Sequence, residues 1–308
     1  FMKIEVIVPM LNEYECIDEF ISRVKKVKSE LAKDSVDLDL LIVDDGSDVR
    51  FKTILSNINK TEEFVKIITL TRNFGHQAAI RAGIDNSKSD AVITIDGDLQ
   101  DPPELILEMV DLWKKGADHV STIRSERKSE TFIKKLTASI YYYILDNSSN
   151  FKSTRNAGDY KLISNWIVSE IKNINEHNLY IRGFIDWLGG SVSYLNYSRD
   201  ARFGGDKKYN YSQSIKVAIN GLVGFSEFFP KLLNKIFYIS ISGSIFIIFW
   251  IFKSLFLVPE SLIPGWSSII LTLFLILIIQ TFSFIFITFY IRKIFEQTSG
   301  KKNYIVSQ

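Results

Sequence analysis

The sequence predicts an α/β fold in which helices cover both faces of a mainly parallel, doubly wound sheet. Three short apolar runs, residues 3–9, 38–43 and 91–95, have the length and composition of buried strands. Each run ends in polar, turn-forming residues, and helix-like segments separate the runs. Strands that alternate with helices form parallel sheets, which bind ligands outside the carboxyl ends of their strands. We therefore expect a ligand site where these three runs end.

Three segments between the predicted strands have the composition and spacing of helices: residues 16–31, 51–57 and 76–86. The first lies between the first two strands, and the other two lie between the second strand and the third. The order strand, helix, strand, helix along the chain is the pattern of a parallel sheet with crossover helices.

The third predicted strand runs directly into the string DGDLQDPP, residues 96–103, which begins with two carboxylates spaced i, i+2. Because strand pairing stops here and the backbone can curl, Asp96 and Asp98 can approach one hard cation together. Mg²⁺ and Mn²⁺ prefer such oxygen ligands and leave positions for substrate phosphates. The string thus indicates a metal site for a diphosphate-linked donor. An acidic turn that caps the helix after Pro103 is the alternative.

Polar residues also follow the other two predicted strands: Asn12 and Glu13 follow the first, and Asp44 and Asp45 follow the second. In a parallel sheet these residues would meet the carboxylates of the third strand along one edge. For Glu13 the alternative is a first-turn acid that interacts with a helix dipole.

Four ordered motifs can now be set side by side: Pro9 with Asn12 and Glu13, VDDGS at 43–47, RNFGHQ at 72–77, and DGDLQDPP at 96–103. Together they resemble the inverting polyprenyl-phosphate glycosyltransferases, nearest to the branch of bacterial glucosyltransferases and dolichyl-phosphate mannose synthases. The resemblance covers roughly residues 3–291, and the combination is specific although a lone Asp-x-Asp is weak. It implies a GT-A type sheet domain followed by interfacial amphipathic helices and two transmembrane helices.

The resemblance also assigns roles to residues. It implies metal binding by Asp96, Asp98 and Gln100, with Asp98 as a direct ligand and catalytic residue. The residues that it implies for the nucleotide sugar lie at the strand ends and in the RNFGHQ segment: Pro9, Asn12, Glu13, Asp44, Asp45, Arg72, His76, Gln77 and Asp96.

The string RNAGDYKL, residues 155–162, resembles the family segment that carries an acidic residue beside the acceptor, which implies that Asp159 is catalytic. A lipid monophosphate is already largely ionised near neutral pH, since its second pKa is about 6, so a strong base is not required. Whether Asp159 removes a proton or orients the acceptor stays open. As an alternative, Asp159 caps the segment that begins at Tyr160.

An anionic acceptor requires cations, and we assign Arg124, Arg202 and Lys208 to its phosphate. Residues 202–209 resemble the family's basic motif before its membrane helices, although Asp206 stands where a small hydroxyl residue is more usual. The alternative is that these cations are solvated or face lipid.

Hydrophobic residues make up 46% of the chain and are concentrated toward its C-terminal end. The uncharged apolar runs at 236–252 and 266–291 are near the length of about 20 residues that a bilayer core of about 30 Å requires. A pair of long core helices in a soluble domain is the alternative. The expected organisation is a catalytic domain over 1–205, a juxtamembrane amphipathic segment over 206–231, transmembrane helices over 232–258 and 266–291, and a tail over 292–308.

Basic residues flank the two apolar runs, whereas the loop at 259–265 contains no Lys or Arg. By the positive-inside rule, the catalytic domain and both termini would be cytoplasmic, at the inner or plasma membrane of a bacterium. Segments 132–144 and 215–229 have apolar faces with basic flanks, which suits helices at a membrane surface. For the first of them, packing onto the domain is an equal alternative.

Charge and cysteine content exclude other classes. The net charge of +2, from 37 basic and 35 acidic residues, argues against a nucleic-acid partner. Cys16 is the only cysteine, so we assign it no role, and we expect His119 and His177 to be structural. Because Lys3 and Glu5 interrupt the first apolar run, we expect no signal peptide there.

These observations predict an enzyme that moves one hexose from a nucleotide diphosphate sugar, with UDP-glucose as the best guess, to undecaprenyl phosphate with inversion. GDP-mannose or a UDP-N-acetylhexosamine is an alternative donor, and a non-catalytic membrane scaffold of the same fold is an alternative function. A processive synthase is disfavoured because its Gln-x-x-Arg-Trp motif is absent. The expected partners are the donor, the lipid acceptor and the bilayer, and self-association into a homo-oligomer stays open.

Overall fold

The computed structural model describes residues 1–124, 143–144, 157–174, 180–198, 265–298, 300 and 302–307, with scattered positions between 231 and 249. The chain forms two compact units, Phe1–Phe225 with Lys302–Gln308, and Ser226–Lys301. The predicted surface segments 132–144 and 215–229 lie outside the described residues, apart from Tyr143 and Ile144, which are helical.

The described part of the first unit contains seven strands and six helices. The strands are β1 (Met2–Met10), β2 (Val36–Asp44), β3 (Val65–Thr69), β4 (Ala91–Thr94), β5 (His119–Arg124), β6 (Ala157–Ser164) and β7 (Val192–Tyr197). The helices are α1 (Ile17–Lys33), α2 (Val49–Thr61), α3 (His76–Asn86), α4 (Leu105–Lys114), α5 (Asn165–Asn173) and α6 (Ile181–Leu188).

The strands form one sheet in the order β3-β2-β1-β4-β6-β5-β7. β1 pairs in parallel with both β2 and β4, and β2 pairs in parallel with β3. β6 is antiparallel to its neighbours β4 and β5, while β7 is parallel to β5. The predicted α/β fold with a mainly parallel sheet is therefore confirmed, and β6 is the strand that reverses direction.

The central strands are apolar on both faces because helices cover both sides of the sheet. On β1, Ile4, Val6 and Val8 belong to the core that includes α1, α2 and α4, whereas Ile7 belongs to the core on the side of α3, α5 and α6. All four side chains are fully buried. Burial on both faces explains why these strands appear in the sequence as continuous apolar runs.

Helix α2 is longer than the predicted segment 51–57. It begins at Val49 because Asp48 caps it: Asp48 Oδ1 accepts a hydrogen bond from the backbone N–H of Phe51 at 3.0 Å. The cap adds half a turn in front of the apolar positions.

Residues 302–307 lie along the edge of the sheet beside β3. Val306 forms an antiparallel bridge with Leu70, and the N–H of Thr71 donates to the carbonyl of Ile305 at 2.9 Å. The Tyr304 hydroxyl donates to Asp85 Oδ2 on α3 at 3.0 Å. The end of the predicted tail, from Lys302 on, is thus part of the sheet domain, because its backbone satisfies hydrogen-bonding groups at the edge of the sheet.

In the second unit, helix α7 (Trp266–Thr298) is 33 residues long and covers the second predicted span. None of the helices in the described part of the chain combines the length and hydropathy that a membrane span requires. The prediction of two spans, at 232–258 and 266–291, therefore lacks support from the structure. Most of the first span lies outside the described residues.

Candidate active site

The carboxyl ends of β2, β1 and β4 lie side by side at one edge of the sheet, as their order requires. The loops that follow these strands carry Asn12 after β1, Asp45 after β2 and Asp96 after β4. The polar residues predicted to meet at the strand ends therefore do so. Pro9 lies within β1, opposite Val43, and is partly exposed.

Asn12 joins the β1 and β2 loops. Its backbone N–H donates to Ser47 Oγ at 3.0 Å, and its side-chain Oδ1 accepts from the N–H of Asp48 at 3.0 Å. Asn12 has a φ of 52°, a left-handed conformation that Asn adopts more readily than most residues. Glu13 precedes α1 by four positions, so it is not an acid of the first helical turn; Asp18 and Glu19 are.

The two aspartates after β2 have different surroundings. Asp44 is fully buried, and its Oδ1 accepts from the N–H of Ser47 at 2.9 Å, which stabilises the turn. Asp45 accepts from the N–H groups of Phe74 and Gly75 at 2.8 and 3.0 Å. Burial raises the pKa of Asp45, although these two N–H groups and the nearby histidine oppose the increase. The assignment of Asp44 and Asp45 to nucleotide-sugar binding stays a prediction.

Asp45 thereby fixes the segment that precedes α3. Gly75, with a φ of 100°, lies immediately before the helix, in a conformation that favours glycine. Gly46 packs so closely on this segment that a Cβ atom would lie 2.3 Å from the carbonyl carbon of Arg72. The Arg72 guanidinium lies 4.4 Å from the ring centre of Phe74, in a cation–π contact. The RNFGHQ segment is thus held against the β2 loop.

His76, the first residue of α3, lies between two carboxylates. Its Nε2 is 3.4 Å from Asp96 Oδ1 and 3.4 Å from Asp159 Oδ2. Burial lowers the pKa of His76, but the hydrogen bond to Asp159 and the charges of Asp96 and Asp159 outweigh burial and raise it to about 9. The ring is therefore protonated at neutral pH and balances part of the negative charge.

Asp159 lies within β6, not at the start of a helix, so its interpretation as a cap is wrong. Its Oδ2 accepts from Gln77 Nε2 at 3.3 Å, and its Oδ1 lies 3.2 Å from Arg182 Nη2. Burial alone would raise the pKa of Asp159, but Arg182 and His76 hold it well below the usual range of a carboxyl group. Asp159 is therefore ionised throughout the neutral range.

Two carboxylates of the 96–103 segment, Asp98 and Asp101, form hydrogen bonds with groups outside α4. The residue before that helix, Glu104, makes no side-chain capping bond, and Asp98 Oδ1 accepts from the N–H of Gln100 at 3.1 Å. Asp101 is fully buried and accepts from the Tyr197 hydroxyl. These contacts favour a ligand site over helix capping for this segment.

Arg124, assigned from the sequence to the acceptor phosphate, is the last residue of β5 and contacts Asp101 of the 96–103 segment. Its Nη2 is 3.5 Å from Asp101 Oδ2, and its Nε donates to the Tyr197 hydroxyl at 3.2 Å. About a third of the Arg124 side chain is exposed. Arg202 and Lys208, the other two assigned cations, lie outside the described residues.

Two residues of the site were missed from the sequence. Arg182 lies on α6, far along the chain from any recognised motif, and Tyr197 is the last residue of β7. An amphipathic helix carrying one arginine is a common pattern, and no local signal distinguishes these side chains. Arg182 reaches Asp159 through the packing of α6 beside β6, and Tyr197 reaches Asp101 through the position of β7 in the sheet.

The donor set suits a divalent cation that is shared with a diphosphate. Within the described ranges, no three His, Cys, Asp or Glu side chains are grouped as metal ligands. Mg²⁺, however, is usually held by one or two carboxylates together with substrate phosphates. Burial raises the pKa of Asp96; the charge of His76 opposes this increase, and the charges of Asp101, Asp159 and Asp98 add to it. This excess of negative charge would be relieved by a cation between Asp96 and Asp98.

The mixed sheet, the carboxylates at the end of β4 and the acidic residue on the reversed strand define a glycosyltransferase of the GT-A type. The chain belongs to glycosyl transferase family 2, whose family model matches residues 5–171.

Relatives that match over nearly the whole chain are also glycosyltransferases. The chain is 37% identical over 303 residues to the uncharacterized glycosyltransferase YkcC of Bacillus subtilis (strain 168), covering 98% of this chain and 93% of that protein. It is 31% identical over 307 residues to the prophage bactoprenol glucosyl transferase homolog of Escherichia coli (strain K12), covering 100% and 99%.

Among solved structures, the fold is similar to glucosyl-3-phosphoglycerate synthase from Mycobacterium tuberculosis, in complex with Mn²⁺, UDP and phosphoglyceric acid. The TM-score is 0.51 and the identity is 16%, over 72% of this chain and 78% of that one. At this identity the likeness concerns the fold alone.

Proposed function

We propose that this glycosyltransferase transfers a single hexose from a nucleotide diphosphate sugar to undecaprenyl phosphate, with inversion at the anomeric carbon. The observation that carries the proposal is the position of His76 between Asp96 and Asp159, 3.4 Å from an oxygen of each. It brings the carboxylate proposed for the donor and the one proposed for the acceptor into one site. The bactoprenol glucosyl transferase names of relatives at about 31% identity support the lipid acceptor and favour glucose.

The donor side comprises the loops after β1, β2 and β4. Asp96 and Asp98, with Gln100, would hold Mg²⁺ or Mn²⁺, which supplies positive charge to the departing nucleoside diphosphate when it is bound. Gln77 Oε1 is buried and has no hydrogen-bond partner among the described residues, so it can accept from a sugar hydroxyl.

On the acceptor side, the nucleophile is a phosphate oxygen of the lipid. It forms the new bond to the anomeric carbon as the bond to the nucleoside diphosphate breaks, which inverts the configuration. The acceptor phosphate approaches the carboxylates of Asp96, Asp98 and Asp159, so it needs compensating cations. His76 and Arg182 supply positive charge at Asp159, and Arg124, Arg202 and Lys208 are the residues proposed to bind the phosphate.

The proposed localisation is the cytoplasmic face of a bacterial inner membrane, with 232–258 and 266–291 as the attachment. Its support is the absence of Asp, Glu, Lys and Arg from 266–291 and the exposure of large apolar side chains on α7, among them Leu273, Ile278 and Phe284. Ser261 lies in the loop at 259–265 between these two segments, which the proposed orientation puts outside the cytoplasm. A cysteine introduced as Ser261→Cys in a Cys16→Ser background should therefore react with an impermeant thiol reagent added to intact cells. Labelling of Ser307→Cys instead would contradict the proposed orientation.

The activity is tested with the purified full chain in detergent, undecaprenyl phosphate, Mg²⁺ or Mn²⁺, and a panel of nucleotide sugars. We expect one sugar-phosphate-lipid product and one equivalent of nucleoside diphosphate, with UDP-glucose as the preferred donor. Preference for GDP-mannose or UDP-N-acetylglucosamine would change the identity of the donor and leave the reaction type unchanged. Lipid-linked oligosaccharides, or no turnover with any donor, would overturn the proposed function.

A further inference from the structure

Helix α6 is joined to strand β6 by two ion pairs. Arg182 Nη2 lies 3.2 Å from Asp159 Oδ1, and Lys161 Nζ lies 2.8 Å from Asp186 Oδ1. Residues four apart share one face of a helix, and residues two apart share one face of a strand. Because these two repeats are both about 6 to 7 Å long, two charged pairs fit between one helix and one strand.

The pair Lys161–Asp186 anchors the helix. Both side chains are almost completely buried, at 2% and 3% exposure. Breaking such a pair leaves a buried charge without compensation, so the register of α6 on the sheet is strongly determined. Arg182 lies one helical turn before Asp186, and its position is fixed by that register.

Arg182 holds one side of the Asp159 carboxylate. Its Nε and Nη2 lie 3.4 and 3.2 Å from Oδ1, and its Nη1 donates to the carbonyl of Ala157 at 2.8 Å. The other carboxylate oxygen, Oδ2, faces Gln77 Nε2 at 3.3 Å and His76 Nε2 at 3.4 Å. Both oxygens therefore contact cations or donors, which fixes the rotation of the carboxylate.

We propose that Arg182 is a positioning residue, which holds Asp159 in one orientation so that this carboxylate acts through its position and charge, not as a proton acceptor. The inference rests on the proposed function, in which Asp159 lies beside the acceptor. The low pKa of Asp159 agrees with it, because a carboxylate paired with Arg182 and His76 is a weak base.

The test compares Arg182→Gln and Arg182→Lys with a matched control, Arg81→Gln. Arg81, on α3, makes the same two kinds of contact: its Nε lies 2.8 Å from the Asp85 carboxylate on the same helix, and its Nη2 donates to the carbonyl of Ile174, just after α5, at 2.8 Å. Arg81 is mostly buried and makes none of its described hydrogen bonds to the proposed site, so its variant measures the cost of losing a guanidinium elsewhere.

For Arg182→Gln we expect kcat to fall roughly tenfold to a hundredfold, as small misplacements of catalytic groups do, with the Kd for nucleotide sugar changed less than threefold. Arg182→Lys should recover only part of kcat, because an ammonium lacks the planar fork. Added guanidinium should partly restore Arg182→Gln and should not affect Arg81→Gln. In an Asp159→Asn background, Arg182→Gln should cost little more, since the two residues act as one unit.

Three results would overturn the inference while leaving the proposed function intact: equal kcat for Arg182→Gln and Arg81→Gln, full additivity with Asp159→Asn, or loss of donor binding as the main effect. If Arg182→Gln does not fold, Arg182→Lys with the same double-mutant comparison decides the matter. No turnover by the unaltered protein with any donor would instead overturn the proposed function, and this inference with it.

Discussion

The Nε2 atom of His76 lies 3.4 Å from Asp159 Oδ2, which connects the first residue of α3 to the third residue of β6. β6 pairs with one side of β4 in the sheet, whereas α3 contacts β1 and β2, which lie on the other side of β4. A change in the charge of His76 therefore alters the electrostatic environment of Asp159, and the reverse also holds. The first two predictions separate the two halves of the site.

Asp159→Asn should reduce turnover at least a hundredfold while nucleotide binding survives, because the carboxylate serves the acceptor side. Raising the pH from about 6 to 8 should not rescue the variant, since the acceptor phosphate is already largely ionised above its second pKa. The measurement is kcat across this pH range, with donor Kd by calorimetry.

Recovery of Asp159→Asn in step with rising pH would instead show that the carboxylate removes a proton. Turnover equal to that of the unaltered protein at every pH would show that Asp159 has no part in the reaction.

Asp98→Asn should abolish turnover and the metal dependence of nucleotide binding, because the carboxamide keeps the shape but loses the charge that attracts a cation. Its melting temperature should stay within a few degrees of that of the unaltered protein. Asp111→Asn, at an exposed position on α4, is the matched control and should bind nucleotide normally. Binding of nucleotide to Asp98→Asn that still responds to Mn²⁺ would contradict the assignment.

His119 should make the stability depend on pH. It is buried among Lys161, Asp186 and Asp118, and burial, followed by the charge of Lys161, lowers its pKa from 6.5 to about 4. The unfolded chain therefore binds a proton below about pH 6.5 that the folded chain does not bind until about pH 4. Stability from the neutral ring is fully present above pH 6.5 and is lost as the pH falls toward 4.

Between pH 7 and pH 5, the free energy of unfolding of the unaltered protein should fall by about 2 kcal/mol more than that of His119→Gln. Denaturant titrations at the two pH values measure this difference, and any constant cost of the substitution cancels. Equal pH slopes for the two proteins would show that the folded chain protonates His119 as readily as the unfolded chain does.

Tyr304→Phe should lower the free energy of unfolding by about 1 kcal/mol, because it removes the hydrogen bond to Asp85. Tyr194→Phe, on an exposed side chain of β7, is the control and should change the stability by less than about 0.5 kcal/mol.

Slower amide exchange at Thr71 in the unaltered protein than in a chain that ends at Lys301 would confirm the pairing of 302–307. Identical exchange would contradict it.

The sequence predicted those elements whose pattern is local. The strands β1, β2 and β4 were recognisable because they are buried on both faces, and the bounds of α3 were predicted correctly because Gly75 precedes it and a turn-forming serine follows it. The N-terminal extension of α2 was missed because its cap, Asp48, directly follows the VDDGS motif and was not recognised as a helix cap.

The parts of the site that depend on distant pairing were not predictable. Asp159 was assigned from a resemblance, but its partner Arg182 belongs to no motif and reaches it only because α6 packs beside β6. Arg124 was assigned to the acceptor on its charge, and its contacts with Asp101 and Tyr197 follow from strand order alone. Charge suggests that a side chain binds an anion, whereas its neighbours depend on tertiary structure.

The pairing of residues 302–307 with Leu70 and Thr71 has a consequence for how copies of this protein meet. An edge strand with open backbone groups is a template on which another chain can add a strand. Here the chain covers that part of the β3 edge with its own backbone. Proteolytic trimming before Lys302 would uncover the template, and the trimmed protein would then be prone to edge-to-edge aggregation, even though every side chain of the proposed active site remained in place.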